Sequence, residues 1–143
     1  MTLIELVVAI TVISIAVLSV MSLFATAATR SGTSLINEQA LSIASAYLQE
    51  ITSKPYLDAN VDNETQRTNF DDVDDYNALN NVGARNAQGV ALAGLNQFTV
   101  NVRVSTGSLS TVPPGEVLRI DVTVTHMTGV VVTLSAYRTR DVP

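Results

Sequence analysis

The 143-residue sequence contains no cysteine, which excludes a disulfide framework and any thiolate metal site. It has no Lys or Arg before Arg30, so it lacks the basic n-region of a secretory signal, and a cleavable signal is the poorer reading of its start. Residues 6–28 carry no charged side chain at all. There is one histidine, His126, and a lone histidine beside an expected hairpin reads as a surface turn residue rather than a general base. No repeat of fixed period or low-complexity tract is present, and neither is a nucleophile elbow, a phosphate-cradling glycine loop or a metal-ligand cluster. These absences favour no enzyme class and point to no cofactor. A net charge of −5 argues against a nucleic-acid partner held through its phosphates.

What the sequence does have is unevenly distributed. Mean hydropathy is +0.30, and the N-terminal segment supplies much of it. The acids are concentrated too. Asp58, Asp62, Glu64, Asp71, Asp72, Asp74 and Asp75 stand against the single base Arg67, whereas residues 98–143 lean slightly basic through Arg103, Arg119, Arg138 and Arg140.

The apolar run over residues 3–28 would be about 39 Å long as a helix, more than the ~30 Å hydrocarbon core of a bilayer. It can therefore cross a membrane with tilt, or protrude from it. At its head stands one acid, Glu5. Thr2 and Glu5 fit the T-x-x-E capping box, and a carboxylate in the first turn faces the positive end of the helix dipole. That local role leaves unexplained why an acid sits where a helix enters lipid, since a buried charge costs ~2.5–3.5 kcal/mol even on lenient insertion scales. The cation within reach is the α-ammonium of Met1, and a neighbouring copy shifted along its axis would present that group best.

Residues 36–51 continue the helical pattern. Ile36, Ala40, Leu41, Ile43, Ala44, Tyr47, Leu48 and Ile51 fall on one arc, with Glu38, Gln39, Ser42, Ser45, Gln49 and Glu50 on the other, which predicts a helix packing one face on a domain. Lys54 suits a helix C-terminus and Pro55 ends the helix. Two weak points are expected: residues 29–33, around Gly32, and the β-branched stretch over residues 11–22. Residues 55–97 read as a long Asn-, Asp- and Gly-rich loop region with at most short pieces of helix or strand. Alternation then predicts three strands, over residues 98–104, 117–125 and 130–138, with a tight connection at Met127-Thr128-Gly129.

The acidic string Phe70-Asp71-Asp72-Val73-Asp74-Asp75-Tyr76-Asn77 supports three readings. It can be a solvated turn capping a short helix, a contact with another subunit, or a Ca²⁺ loop built from Asp71, Asp72, Asp74 and Asp75. EF-hand spacing is absent.

Met1-Thr2-Leu3-Ile4-Glu5-Leu6 followed by an apolar helix resembles the mature N-terminus of type IV pilins and type II secretion pseudopilins. The resemblance implies an α+β, type IV pilin-like fold: a long N-terminal helix over residues 1–54 on a small antiparallel head over residues 55–143. Residues 1–28 would be the transmembrane and filament-core part, residues 29–54 the amphipathic half. It also implies peptidase cleavage just before Met1, methylation of that terminus, and pairing of Glu5 with a neighbouring subunit's N-terminus. Phe is the commonest first residue of the family; Met1 is similar to that of several minor subunits. The Asp-Asp-Val-Asp-Asp-Tyr-Asn string is similar to a segment of minor pilins of the mannose-sensitive haemagglutinin type. The implied partners are other pilin subunits and the assembly machinery. The implied location is the bacterial inner membrane before assembly and the cell surface afterwards. A pseudopilin in a secretion system and a membrane-anchored binding module are the alternatives.

Overall fold

A computed structural model describes residues 2–57, 64, 66–113 and 115–140. Met1, Asp58 and Asp62 lie outside them. The chain forms two compact units, Met1–Leu35 and Ile36–Pro143, and the helix α1 (Leu3–Thr52) contributes to both.

In the first unit every described residue is exposed. Its side chains run unbroken through both expected weak points: residues 11–22 and 29–33 are helical throughout. The hydroxyls show how a polar group is tolerated there. All five in residues 6–28, on Thr11, Ser14, Ser19, Ser22 and Thr26, donate to the backbone carbonyl three or four residues back, at 2.7–2.9 Å. Each hydroxyl thus satisfies its own donor inside the helix, so the segment offers an apolar solvent no unpaired side-chain hydrogen.

The second unit is an α+β arrangement, with the end of α1 and a four-stranded antiparallel sheet in the order β1-β2-β3-β4. The strands are β1 (Asn80–Val82), β2 (Phe98–Thr106), β3 (Val117–His126) and β4 (Val131–Thr139). Alternation along β2 and β3 puts Phe98, Val100, Val102, Ile120, Val122 and Val124 on one face. There they form the core with Ala40, Ile43, Ala44, Tyr47 and Ile51 of α1. Leu41 departs from the expected stripe and is 47% exposed, because it lies about 100° round the helix from Ala40.

β1 is the strand that alternation did not reveal. It is three residues long, and Asn77 prepares its place: its Oδ1 accepts the Val104 backbone N–H at 3.1 Å. Two positive-φ residues set it off, Ala78 (62°) and Gly83 (82°). Leu79 accepts from Val102 N–H and Gly83 donates to Phe98 O, both at 2.9 Å.

On the outer face of the sheet, the Asp121 carboxylate accepts from the Ser135 hydroxyl and from Arg119 Nε. The Ser135 hydrogen bond, then Arg119, holds that carboxyl below its usual range. Ser135→Ala is expected to bring the Asp121 pKa up towards an ordinary aspartate, read by carboxyl NMR titration. A lowered native pKa contributes stability above the unfolded value and loses it as pH falls through the native one. On this solvated face the stability effect is small.

Candidate functional site

Glu5 sits in the first turn of α1, where its Oε2 accepts the Thr2 backbone N–H at 3.3 Å. This is the reach-back half of a capping box. The Glu5 backbone N–H bonds the Thr2 carbonyl at 3.1 Å. The carboxylate therefore caps its own helix through one oxygen, at the head of an apolar segment that is exposed at every described residue through Leu35. The expectation for Met1 lies outside the described residues.

The acidic string folds into a turn that caps itself. Asp72 Oδ1 accepts the backbone N–H groups of Asp74 and Asp75 at 2.7 and 3.1 Å, opening the short 3-10 helix Asp74–Tyr76. Asp75 Oδ2 accepts those of Asp71 and Asp72 at 2.9 and 3.2 Å. The four expected Ca²⁺ ligands are not brought together. Carboxylate oxygens of Glu64, Asp71 and Asp75 lie within 4.8 Å of one another, with Asp72 and Asp74 outside the group. Ca²⁺ takes about six to eight oxygens, and one oxygen of this trio already holds two backbone hydrogens. Of the three readings, the geometry favours the capping turn. Asp72 is buried, so Asp72→Ala is expected to lower stability by ~1–2 kcal/mol through loss of the cap, measured by denaturant unfolding of the full chain in detergent.

Behind the turn lies a network that sequence reasoning missed. Glu50, expected on the solvent arc of α1, accepts from Arg67 Nη2 at 2.9 Å and from the Tyr76 hydroxyl at 2.8 Å. The Arg67 side chain is 6% exposed and lies over the rings of Tyr47 (4.6 Å) and Tyr76 (5.4 Å). Its Nε and Nη1 have no hydrogen-bond partner among the described residues. Burial, then the Glu50 hydrogen bond, pushes the Tyr76 hydroxyl far above the usual tyrosine range and keeps it a donor. The signal in the sequence was Arg67 itself, the one base among seven acids. Lys54, expected at the helix end, reaches across to the Phe70 carbonyl at 2.7 Å instead.

His126 corrects another expectation: it is 5% exposed, not a surface turn residue. The β2–β3 register runs through to Phe98↔His126 and lays the imidazole against the Phe98 ring, centroids 4.7 Å apart. Nδ1 pairs with the Thr128 hydroxyl at 2.8 Å and lies 3.2 Å from the Thr128 backbone N–H, and Nε2 pairs with Gln97 Oε1 at 3.0 Å. Both nitrogens hold the hairpin together.

The fold defines a class: an α+β chain with one N-terminal helix long and apolar enough to cross a membrane. Comparison with known protein families, curated proteins and solved structures returned no match.

Proposed function

We propose that the chain is a structural subunit, of the minor kind, of a type IV pilus-like filament. Residues 3–28 store it in the bacterial inner membrane and then polymerise it with other pilin subunits. The observation that carries this reading is a single carboxylate, Glu5, heading a helix with no other charge before Arg30 and with every described residue exposed as far as Leu35. Such a surface needs either lipid or copies of itself. Packing among copies replaces lipid contact with helix contact. Glu5 sets the axial register, because its charge is costly in lipid unless a neighbour's N-terminal ammonium meets it. The self-satisfied hydroxyls of Thr11 to Thr26 suit either surrounding.

The resemblance of Met1-Thr2-Leu3-Ile4-Glu5-Leu6 to pilin N-termini supports the same reading, and the α+β head is compatible with it. The test is recovery of the chain from filaments sheared off the cell surface. Its presence there is the expected result. Retention in the periplasm would place it in a secretion pseudopilus, and a monomer confined to the membrane would remove the polymer reading.

A further inference from the structure

Both edges of the head sheet are open, and their backbone groups can be assigned by parity. In the β3–β4 ladder, His126 N–H donates to Val130 O and Arg140 N–H to Glu116 O. The even-numbered residues of β4 therefore bond β3, and Val131, Thr133, Ser135, Tyr137 and Thr139 turn their N–H and C=O groups outward. In the β1–β2 ladder, Leu79 and Gly83 bond β2, so Asn80 and Val82 turn theirs outward. None of these outward groups has a hydrogen bond among the described residues.

Native sheets blunt an open edge with charge, proline, a bulge or extreme shortness. β4 uses only charge, and only near its end, at Arg138. It is nine residues long, pairs with β3 without interruption, contains no proline or glycine, and is uncharged from Val131 through Tyr137. Its inward side chains Val132 and Leu134 are only partly buried against the core, so the strand is unfinished on that side as well.

The opposite edge has room for a strand. A cavity of about 600 Å³ runs along β1, lined by Asn80, Asn81, Val82, Thr68, Arg67 and Arg85 among others, with no acid on its wall among the described residues. An incoming strand must be polar enough for those amides and must not bring a cation against the two arginines. The segment Thr133-Leu134-Ser135-Ala136 meets both conditions.

We propose that β4 of one copy pairs with β1 of the next, joining the heads into a continuous antiparallel sheet. The directions agree: in a four-stranded antiparallel meander the first and last strands run oppositely, so copies in the same orientation meet antiparallel. The faces agree too, since the outward-bonding residues of both edges carry their side chains on the outer face. The contact is heterologous, β4 against β1, and such contacts propagate into open chains rather than closed dimers. The inference deepens the filament reading and rests on it for the second copy.

A sequence free of cysteine makes the test clean. Val82→Cys is combined in turn with Thr133→Cys, Ser135→Cys or Tyr137→Cys in the full chain in native membranes, and oxidised mildly. Within one copy the two edges are three strand spacings apart, ~14 Å, beyond the ~7 Å reach of a disulfide, so every bridge is between copies. The expected result is a ladder of dimers, trimers and longer species from at least one pair. No ladder is expected from any single variant, and Ser135→Lys should abolish the ladder of the Val82–Thr133 pair, the register that lays residues 133–136 along β1, by charging the edge. Dimers from a β4 cysteine alone, or no ladder from any pair while the same variants still enter sheared filaments, would overturn the edge pairing and leave the filament reading standing. A ladder in membranes from a chain that never enters filaments would support the edge pairing and sink the filament reading.

Discussion

Glu50→Ala is expected to lower the stability of the head by ~2–3 kcal/mol, less than the ~3–5 kcal/mol for removing one partner of a fully buried ion pair, because the Glu50 side chain is 18% exposed. The substitution removes two things at once. The Arg67 guanidinium, 6% exposed, loses its anion, and Nε and Nη1 already lack hydrogen-bond partners among the described residues. The faces of Tyr47 and Tyr76 recover only part of that charge, since a cation–π contact contributes ~0.5–2 kcal/mol. The Tyr76 hydroxyl, meanwhile, loses its acceptor. Against a typical total of ~5–15 kcal/mol this is a large fraction, and the turn of residues 66–76 should detach first. Adding Arg67→Met should restore most of the loss, because a thioether of similar length needs no counter-charge. Denaturant unfolding of the two single variants and the double variant gives the coupling directly. A double variant no better than Glu50→Ala would show that packing, not the stranded charge, sets the cost.

Glu5→Ala is expected to do the reverse: leave the head intact and abolish entry into filaments. Glu5 makes one described contact, the 3.3 Å cap to Thr2 N–H, and loss of an exposed cap at a helix end costs only ~1 kcal/mol. Its larger role in this account lies between copies, where it fixes how far one helix sits along another. Sheared-filament yield should fall at least tenfold while membrane-bound protein and its head unfolding midpoint stay unchanged. Glu5→Gln separates the two roles: the amide keeps an acceptor for Thr2 but carries no charge, so it should assemble as poorly as alanine. Wild-type assembly by Glu5→Gln would mean that capping, not ion pairing, is what Glu5 supplies.

The parts of this fold that follow a simple period were legible in the sequence. The α1 stripe of Ala40, Ile43, Ala44, Tyr47 and Ile51 repeats at helical spacing, and β2 and β3 alternate residue by residue, so burial followed pattern. What was hidden depends on chain segments folding back. Glu50 looked solvated because its wheel position is polar, and only the turn carrying Arg67 and Tyr76 covers it. β1 has no pattern to find; Asn-Asn-Val becomes a strand because Asn77, Ala78 and Gly83 bend the chain alongside β2. His126 looked like a turn residue because the register that buries it against Phe98 is a tertiary property. A cap for a short helix was one of three readings open for the acidic string, and the way Asp72 and Asp75 each hold two backbone hydrogens was not readable from spacing. Glu5 stands apart, since composition alone isolates it: it is the one charge before Arg30.

In the proposed filament, residues 1–28 are an assembly surface processed for polymerisation, not a simple anchor. Mass spectrometry of the N-terminus of the protein from its native membrane tests this most directly. The expected result is a chain beginning at Met1 with a single methyl group on its α-amine. A terminus that retains upstream residues, or a formylated or unmethylated Met1, would contradict it.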